Sequence, residues 1–204
     1  MMMTSRAKTA CRRIGGRAWS GRRHLSAEGV AAMLAKAKAA SAEFAKMDQE
    51  DVDRIFVNIA HAANKQRLPL AVAAHEETGM GLMEDKVLKN GVACELILDR
   101  FRDVKTCGII ERDDNHGIEK VANPMGVVCC ITPTTNPTST AIAKSLFCAK
   151  TRNAAVFLPH PKAANCTKEA VKICHDAGVA AGAPEGFLQC LGSEDISRDS
   201  SKFV

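Results

Sequence analysis

Gly126-Val127-Val128-Cys129-Cys130-Ile131 and, further on, Ala154-Ala155-Val156-Phe157-Leu158 decide the fold of this 204-residue chain. Each run is short and continuously apolar, as a strand must be when a parallel sheet buries both its faces. Between them lie a loop over 133–137 and a helix over 137–150 that sets Ile142, Leu146 and Ala149 on one face. After the second run come Pro159-His160-Pro161, a helix over 166–180, a break at Gly182-Ala183-Pro184, and a third strand, Phe187-Leu188-Gln189-Cys190-Leu191. Strands alternating with helices of this length imply an α/β fold with a parallel sheet and right-handed crossovers.

Upstream the rhythm is helical. An Ala-rich helix is expected over 28–46. Asp48 is placed to cap a second, in which Val52, Ile55, Phe56, Ile59 and Ala63 recur at three- and four-residue steps. Pro69 sits near the start of a third, which ends at Thr78-Gly79. Val87, Gly91, Cys94, Leu98 and Phe101 mark the seam of a fourth over 84–103. Residues 111–115 then read as a polar turn and 117–122 as an extended segment.

The formal charge of +5 misleads. Residues 1–25 hold seven of the 28 bases and no acid, so the body carries 21 bases against 23 acids. A basic surface for nucleic acid or membrane is therefore not expected, and scarce aromatics with no Tyr argue against base stacking. The first 26 residues are Arg-rich, acid-free and rich in small and hydroxyl residues. They read as an organelle transit peptide, mitochondrial matrix before plastid, with Arg23-His24-Leu25-Ser26 as a candidate cleavage site. Residues 27–204 read as one incomplete domain, helical over 27–103 and β-α-β over 117–204. The chain reaches Val204 where a next helix would be starting, and three parallel strands leave sheet edges unpaired, so it reads as a fragment.

Nine cysteines fall in no Cys-x-x-Cys pair and no zinc spacing. Cys94, Cys129, Cys130, Cys148 and Cys174 sit in apolar runs and are expected to be buried hydrophobes. Gly79-Met80-Gly81 follows a helix and has Glu84 where a dinucleotide fingerprint needs Gly. His75-Glu76-Glu77-Thr78-Gly79 lacks the second His of a zinc protease motif.

In open parallel sheets, ligands bind beyond the carboxyl ends of the strands. That selects Thr132-Pro133-Thr134-Thr135-Asn136-Pro137 and Pro159-His160-Pro161, each ahead of a helix whose free N–H groups would face the cleft. Asn136, before Pro137 at the first helical position, reads either as the N-cap of its own helix or as an amide donor to a cofactor or developing oxyanion. His160 reads either as a solvated loop residue or as a ligand contact. Lys150 and Arg152 suit a helix C-terminus, and Lys162 suits solvent.

At residues 123–161 the text becomes specific. Asn123-Pro124-Met125-Gly126, Ile131-Thr132-Pro133-Thr134-Thr135-Asn136-Pro137-Thr138-Ser139-Thr140, Lys150-Thr151-Arg152-Asn153 and Pro159-His160-Pro161 closely resemble the CoA-acylating aldehyde dehydrogenases. The likeness is nearest to the N-terminal half of the bifunctional aldehyde–alcohol dehydrogenases. Thr78-Gly79-Met80-Gly81, Glu84-Asp85-Lys86 and Lys105-Thr106-Cys107-Gly108 are similar too, and the likeness runs from about residue 30 to the end.

The resemblance implies a Rossmann-like aldehyde dehydrogenase fold, NAD as cofactor, coenzyme A as co-substrate, and oxidation of acetaldehyde to acetyl-CoA or its reverse. It implies NAD contacts from Ile131, Thr132, Pro133, Thr134, Thr135, Asn136, Pro159 and His160, with Asn136 a possible oxyanion donor. It implies a homo-oligomer or filament in the full-length form. This chain has Leu158 where the family often has Ser, which removes a hydroxyl near the ribose. The family's nucleophilic Cys and glycine-rich NAD turn lie beyond Val204, so the chain alone is expected to be inactive. The alternative is a non-catalytic short form that binds nucleotide or assembles with full-length subunits.

Overall fold

The computed structural model describes residues 27–192, so the transit-peptide reading and the residues from 193 on lie outside the described residues. Four helices lead: α1 (Ala27–Phe44), α2 (Gln49–Lys65), α3 (Arg67–Thr78) and α4 (Met83–Phe101). A hairpin of β1 (Gly108–Asp113) and β2 (Ile118–Ala122) follows. Then come β3 (Val127–Thr132), α5 (Pro137–Lys150), β4 (Ala154–Pro159), a 3₁₀ turn (Pro161–Ala163), α6 (Ala164–Ala180) and β5 (Leu188–Cys190). The last three strands form a parallel sheet in the order β3-β4-β5, with Val127 beside Ala154 and Ala155 beside Leu188.

Helix boundaries follow local chemistry. Asp48 accepts a hydrogen bond from the Asp51 N–H at the start of α2. Gly79 ends α3 at φ 62°, with its N–H on the His75 carbonyl. Pro137 opens α5.

Strand β4 is buried along its whole length, and its alternation divides the core. Ala154, Val156 and Leu158 pack with Ala37 of α1 and Leu191. Ala155 and Phe157 point the other way, into the main core with Ile142 and Leu146 of α5 and Val171 and Cys174 of α6. Each such large apolar side chain contributes roughly 1.5–3 kcal/mol on burial. Helix α2 packs behind α5 and α6, and α4 packs on α2, α3 and α5.

Two expectations for the strands need correction. Residues 111–113 are not turn but the end of β1, and the turn is at 114–117. The hairpin is exposed on both faces, so no alternating pattern marked it. Its ladder is matched by cross-strand charge instead, Arg112 with Glu119 and Lys120 with Glu111, both at 2.7 Å. Strand β3 is not wholly buried: Ile131 is 72 % exposed and Cys129 is exposed too, because α1 covers only part of that face. The seam of α4 includes the expected Gly91, Cys94 and Leu98, with Phe101 packed against the core, and takes in Lys86, Asn90 and Ala93 besides, which leaves Leu88, Val92 and Leu96 as an exposed stripe.

Lys150 and Arg152 stand at the C-terminal end of α5 as expected, but both are buried. Lys150 is 2 % exposed; its ammonium meets Asp53 of α2, donates to the Arg102 carbonyl at 2.8 Å and lies over the Phe56 ring. Arg152, at φ 57°, donates to the carbonyls of Ala45, Met47 and Ala122. Asn153 accepts from the N–H groups of Met125 and Gly126.

Phe187, just before β5, packs edge-on against Phe44 and stacks on His175. It lies directly on Gly178 of α6. A Cβ there would stand 2.5 Å from Phe187 Cζ. Gly178→Ala gains about 1 kcal/mol in helix propensity but overpacks at a cost of ~1–3 kcal/mol. The expected net result is a lower urea midpoint at unchanged slope; a midpoint at or above wild type contradicts this packing.

Candidate functional site

The parallel strands deliver two loops to one edge of the sheet. Thr132 is in register with Pro159, and the His160 N–H donates to the Thr132 carbonyl at 3.2 Å, so the loop 133–136 and the Pro159-His160-Pro161 segment lie side by side. Ile131, Pro133, Thr135 and His160 are exposed; Thr134 and Asn136 are half-buried; Thr132 and Pro159 are buried. Thr132 Oγ1 is enclosed and has no protein partner, an available hydrogen-bonding group at the strand end.

Asn136 occupies the cap position of α5, but its side chain does not cap the helix. Its Oδ1 accepts from Thr135 Oγ1 at 2.8 Å and its Nδ2 donates to Thr140 Oγ1 at 3.2 Å. The capping reading is thereby corrected: at φ −141° and ψ 59° the side chain reaches the next turn's hydroxyl rather than the first-turn amides. The first turn of α5 holds no acidic residue and receives no side-chain cap. That helix end keeps its positive character for a ligand.

The second loop differs. The N–H groups of Asn165 and Cys166, which open α6, both donate to the Glu77 carboxylate, at 2.9 and 2.7 Å. The expectation of free N–H groups facing the cleft therefore fails at α6: a carboxylate from α3 already satisfies them. Burial works to raise the Glu77 pKa, but the hydrogen bonds from Cys166 and Asn165 outweigh it and leave it below the ordinary value. His160 Nδ1 accepts from the Lys162 N–H, and Lys162 is exposed as expected.

Sequence reasoning missed what stands beneath the first loop. Lys86 of α4 is buried, and its ammonium donates to the Thr135 carbonyl at 3.1 Å. One turn on, Asn90 donates to the Arg67 carbonyl and accepts from Thr138 Oγ1 of α5. It also missed an apolar groove of about 1020 Å³ between α4 and α5, lined by Leu88, Val92, Leu96 and Ala143 and bordered by Asn136 and Thr140. The 88/92/96 spacing was the only signal for it, and an apolar four-residue repeat ordinarily means core.

The cysteines supply no ready nucleophile here. Burial pushes the thiols of Cys94, Cys166, Cys174 and Cys190 up to about 12. Burial and the neighbouring Cys130 raise Cys129, the exposed one. Cys130 is lowered by its hydrogen bond with Cys148, but it is buried, and that same bond raises Cys148. Among the described residues no group of His, Cys, Asp and Glu could hold a metal ion, and no helix is long and apolar enough to cross a membrane.

Comparison with known proteins gives a consistent picture. The profile of the aldehyde dehydrogenase family matches residues 5–198. The chain is 49% identical over 165 residues to the bifunctional aldehyde-alcohol dehydrogenase AdhE of Escherichia coli K12, an alignment covering 81% of this chain and 18% of that one. It superposes on the crystal structure of an acetylating aldehyde dehydrogenase from Geobacillus thermoglucosidasius with a TM-score of 0.84 and 43% identity, covering 87% of this chain and 39% of that one. A propionaldehyde dehydrogenase from Rhodopseudomonas palustris, solved with bound CoA and an acylated cysteine, matches with a TM-score of 0.70 and 30% identity, covering 85% and 39%. The chain thus spans under a fifth of the length of the curated relative and two fifths of the solved structures.

Glu77 yields a pH test. Its folded pKa lies below the ordinary 4.5, so its contribution to stability is full above that value and disappears as pH falls through the depressed one. Glu77→Ala is expected to lose about 1 kcal/mol near neutral pH, the scale of a helix cap. The gap from wild type should close on acidification. A gap that persists unchanged into strong acid would show that the carboxylate is not the cause.

Proposed function

The chain belongs to the aldehyde dehydrogenase family, and on that premise we propose that it is the cofactor-side part of an NAD-dependent, CoA-acylating acetaldehyde dehydrogenase. The reaction is acetaldehyde, CoA and NAD+ to acetyl-CoA, NADH and a proton, and it is reversible. The observation that carries the reading is the uncapped, acid-free first turn of α5, with the loop Ile131–Asn136 in front of it and an apolar groove ending at Asn136.

The residues present fit NAD. The enclosed, unpartnered Thr132 hydroxyl suits a ribose hydroxyl, and the open N-terminus of α5 suits an anionic group. Ile131 and Pro133 offer exposed apolar surface at the strand end, and Pro159 and His160 form the neighbouring wall. When bound, NAD supplies the hydride acceptor and CoA takes the acyl group. The Asn136 amide exchanges Thr140 Oγ1 for the aldehyde oxygen, where negative charge develops. Leu88, Val92, Leu96 and Ala143 give the methyl group an apolar surface and reduce water near it.

As for the nucleophile, no described cysteine combines exposure with a thiol held below its ordinary pKa. We place it in a longer form of the protein, which the coverage of the relatives supports. The exposed isoleucines of the hairpin, Ile109, Ile110 and Ile118, support association with further copies. The Arg-rich, acid-free first 26 residues support a mitochondrial address. A second reading, a short form that binds nucleotide without turnover, uses the same loop.

Saturation-transfer NMR of the 204-residue protein is expected to show contact with NAD, and the same preparation to produce no NADH from acetaldehyde, CoA and NAD. Measurable turnover would mean that one of these cysteines is the nucleophile; absence of NAD contact would remove the cofactor assignment. In the longer protein, Asn136→Ala is expected to lower kcat about 10²–10³-fold with a smaller change in KM. An unchanged kcat would exclude the oxyanion role.

A further inference from the structure

Lys86 is 4 % exposed, yet its ammonium faces no carboxylate within salt-bridge distance among the described residues. Among the described residues its one hydrogen bond is to a loop carbonyl, that of Thr135. Buried cations are ordinarily paired, and an unpaired one loses hydration that a single carbonyl does not restore. Burial, and then the charge of Lys89, hold the Lys86 pKa below its ordinary value. For stability alone, an apolar side chain of the same length would serve at least as well. The placement has a use only in what the bond holds still.

Thr135 is the residue before Asn136, and its peptide is the link between the ligand loop and α5. Without a tie at that carbonyl, two exposed residues, Pro133 and Thr135, would leave the loop free to move. The second tie, Asn90 to Thr138 Oγ1, lies one turn along α4 and holds the first turn of α5. Lys86 and Asn90 stand at i and i+4, so one helix face presents both. The chain on both sides of Asn136 is thereby tied to α4, while Asn136 itself lines the groove.

We propose that Lys86 is a positioning residue, which acts through the Thr135 carbonyl to hold the cofactor loop and aim the Asn136 amide. Its role in cofactor binding rests on the reading of that loop given above; its role in ordering the loop does not.

The test therefore has two readouts on the 204-residue protein. The first is amide hydrogen exchange at Thr134, Thr135 and Asn136. Lys86→Met is expected to speed exchange there about tenfold, the scale of one hydrogen bond from a charged donor, while α2 and α6 stay protected. Lys86→Arg, which keeps a donor, is expected to recover part of the protection. Unchanged exchange in Lys86→Met overturns the proposal. Should that variant fail to fold, wild-type ¹⁵N spectra decide: a slowly exchanging Lys86 ammonium signal supports the strut, and its absence overturns it.

The second readout is NAD affinity. If wild type binds, Lys86→Met is expected to weaken NAD about tenfold with little change in Tm, and Lys86→Arg to restore part of it. Equal affinity in wild type and Lys86→Met overturns the positioning role. If wild type does not bind NAD, the cofactor reading fails, and the exchange experiment still decides whether Lys86 orders the loop.

Discussion

The rest of the structure depends on the corner that follows α5. Within four residues the chain leaves a helix, passes through a left-handed residue and enters a buried strand. A left-handed Arg costs roughly 1–2 kcal/mol of backbone strain. That conformation survives because the Arg152 guanidinium answers the carbonyls of Ala45, Met47 and Ala122. Lys150 on one side ties in α2 and the end of α4, and Asn153 on the other holds the turn into β3 through two N–H groups. Gln49 joins the same knot, accepting from the N–H groups of Thr106 and Cys107, while Thr106 Oγ1 donates to the Lys150 carbonyl. One short segment therefore sets the strand spacing, the entry to the hairpin and the packing of α2 on α5.

At the opposite end of the sheet, two helix N-termini look alike in sequence and differ in environment. A carboxylate from α3 closes the start of α6; among the described residues no carboxylate bonds to the first turn of α5. This asymmetry concentrates the capacity for an anionic or polar ligand at the first loop. It also gives the polar residues of α4 a purpose. Lys86 and Asn90 occupy positions that a purely structural helix would fill with apolar groups, and both bond to the loop or to the turn that follows it. The cleft thus has a fixed floor, an open helix end and an apolar flank in Leu88, Val92 and Leu96.

The sequence motifs divide accordingly. Lys150-Thr151-Arg152-Asn153 and Lys105-Thr106-Cys107-Gly108 look as distinctive as the Ile131–Asn136 loop, but Lys150, Arg152, Asn153, Thr106 and Cys107 are consumed by the fold. Glu77, in a stretch that lacks the second His of a zinc protease motif, is a helix cap borrowed from a distant helix. Distinctive text marked family membership in the first two, and only contact geometry separated residues that build from residues that remain available.

By itself the sequence determined what local physics controls. Apolar run lengths, helix periodicity, Asp48, Gly79 and Pro137 placed four leading helices, three parallel strands and the two loops at their carboxyl ends, because each rests on interactions within a few residues. Where burial depended on distant partners, sequence was silent or wrong. Ile131 and Cys129 are as apolar as the residues of β4, but no element among the described residues covers them; Lys86 and Asn90 are as polar as any surface residue, but the loop and α5 close over them. The charged hairpin strand shows no alternation because its partner strand, rather than a core, satisfies it. Which polar groups are buried, which helix end is open and which face is left bare are properties of pairs far apart in the chain, so only the tertiary structure decided them.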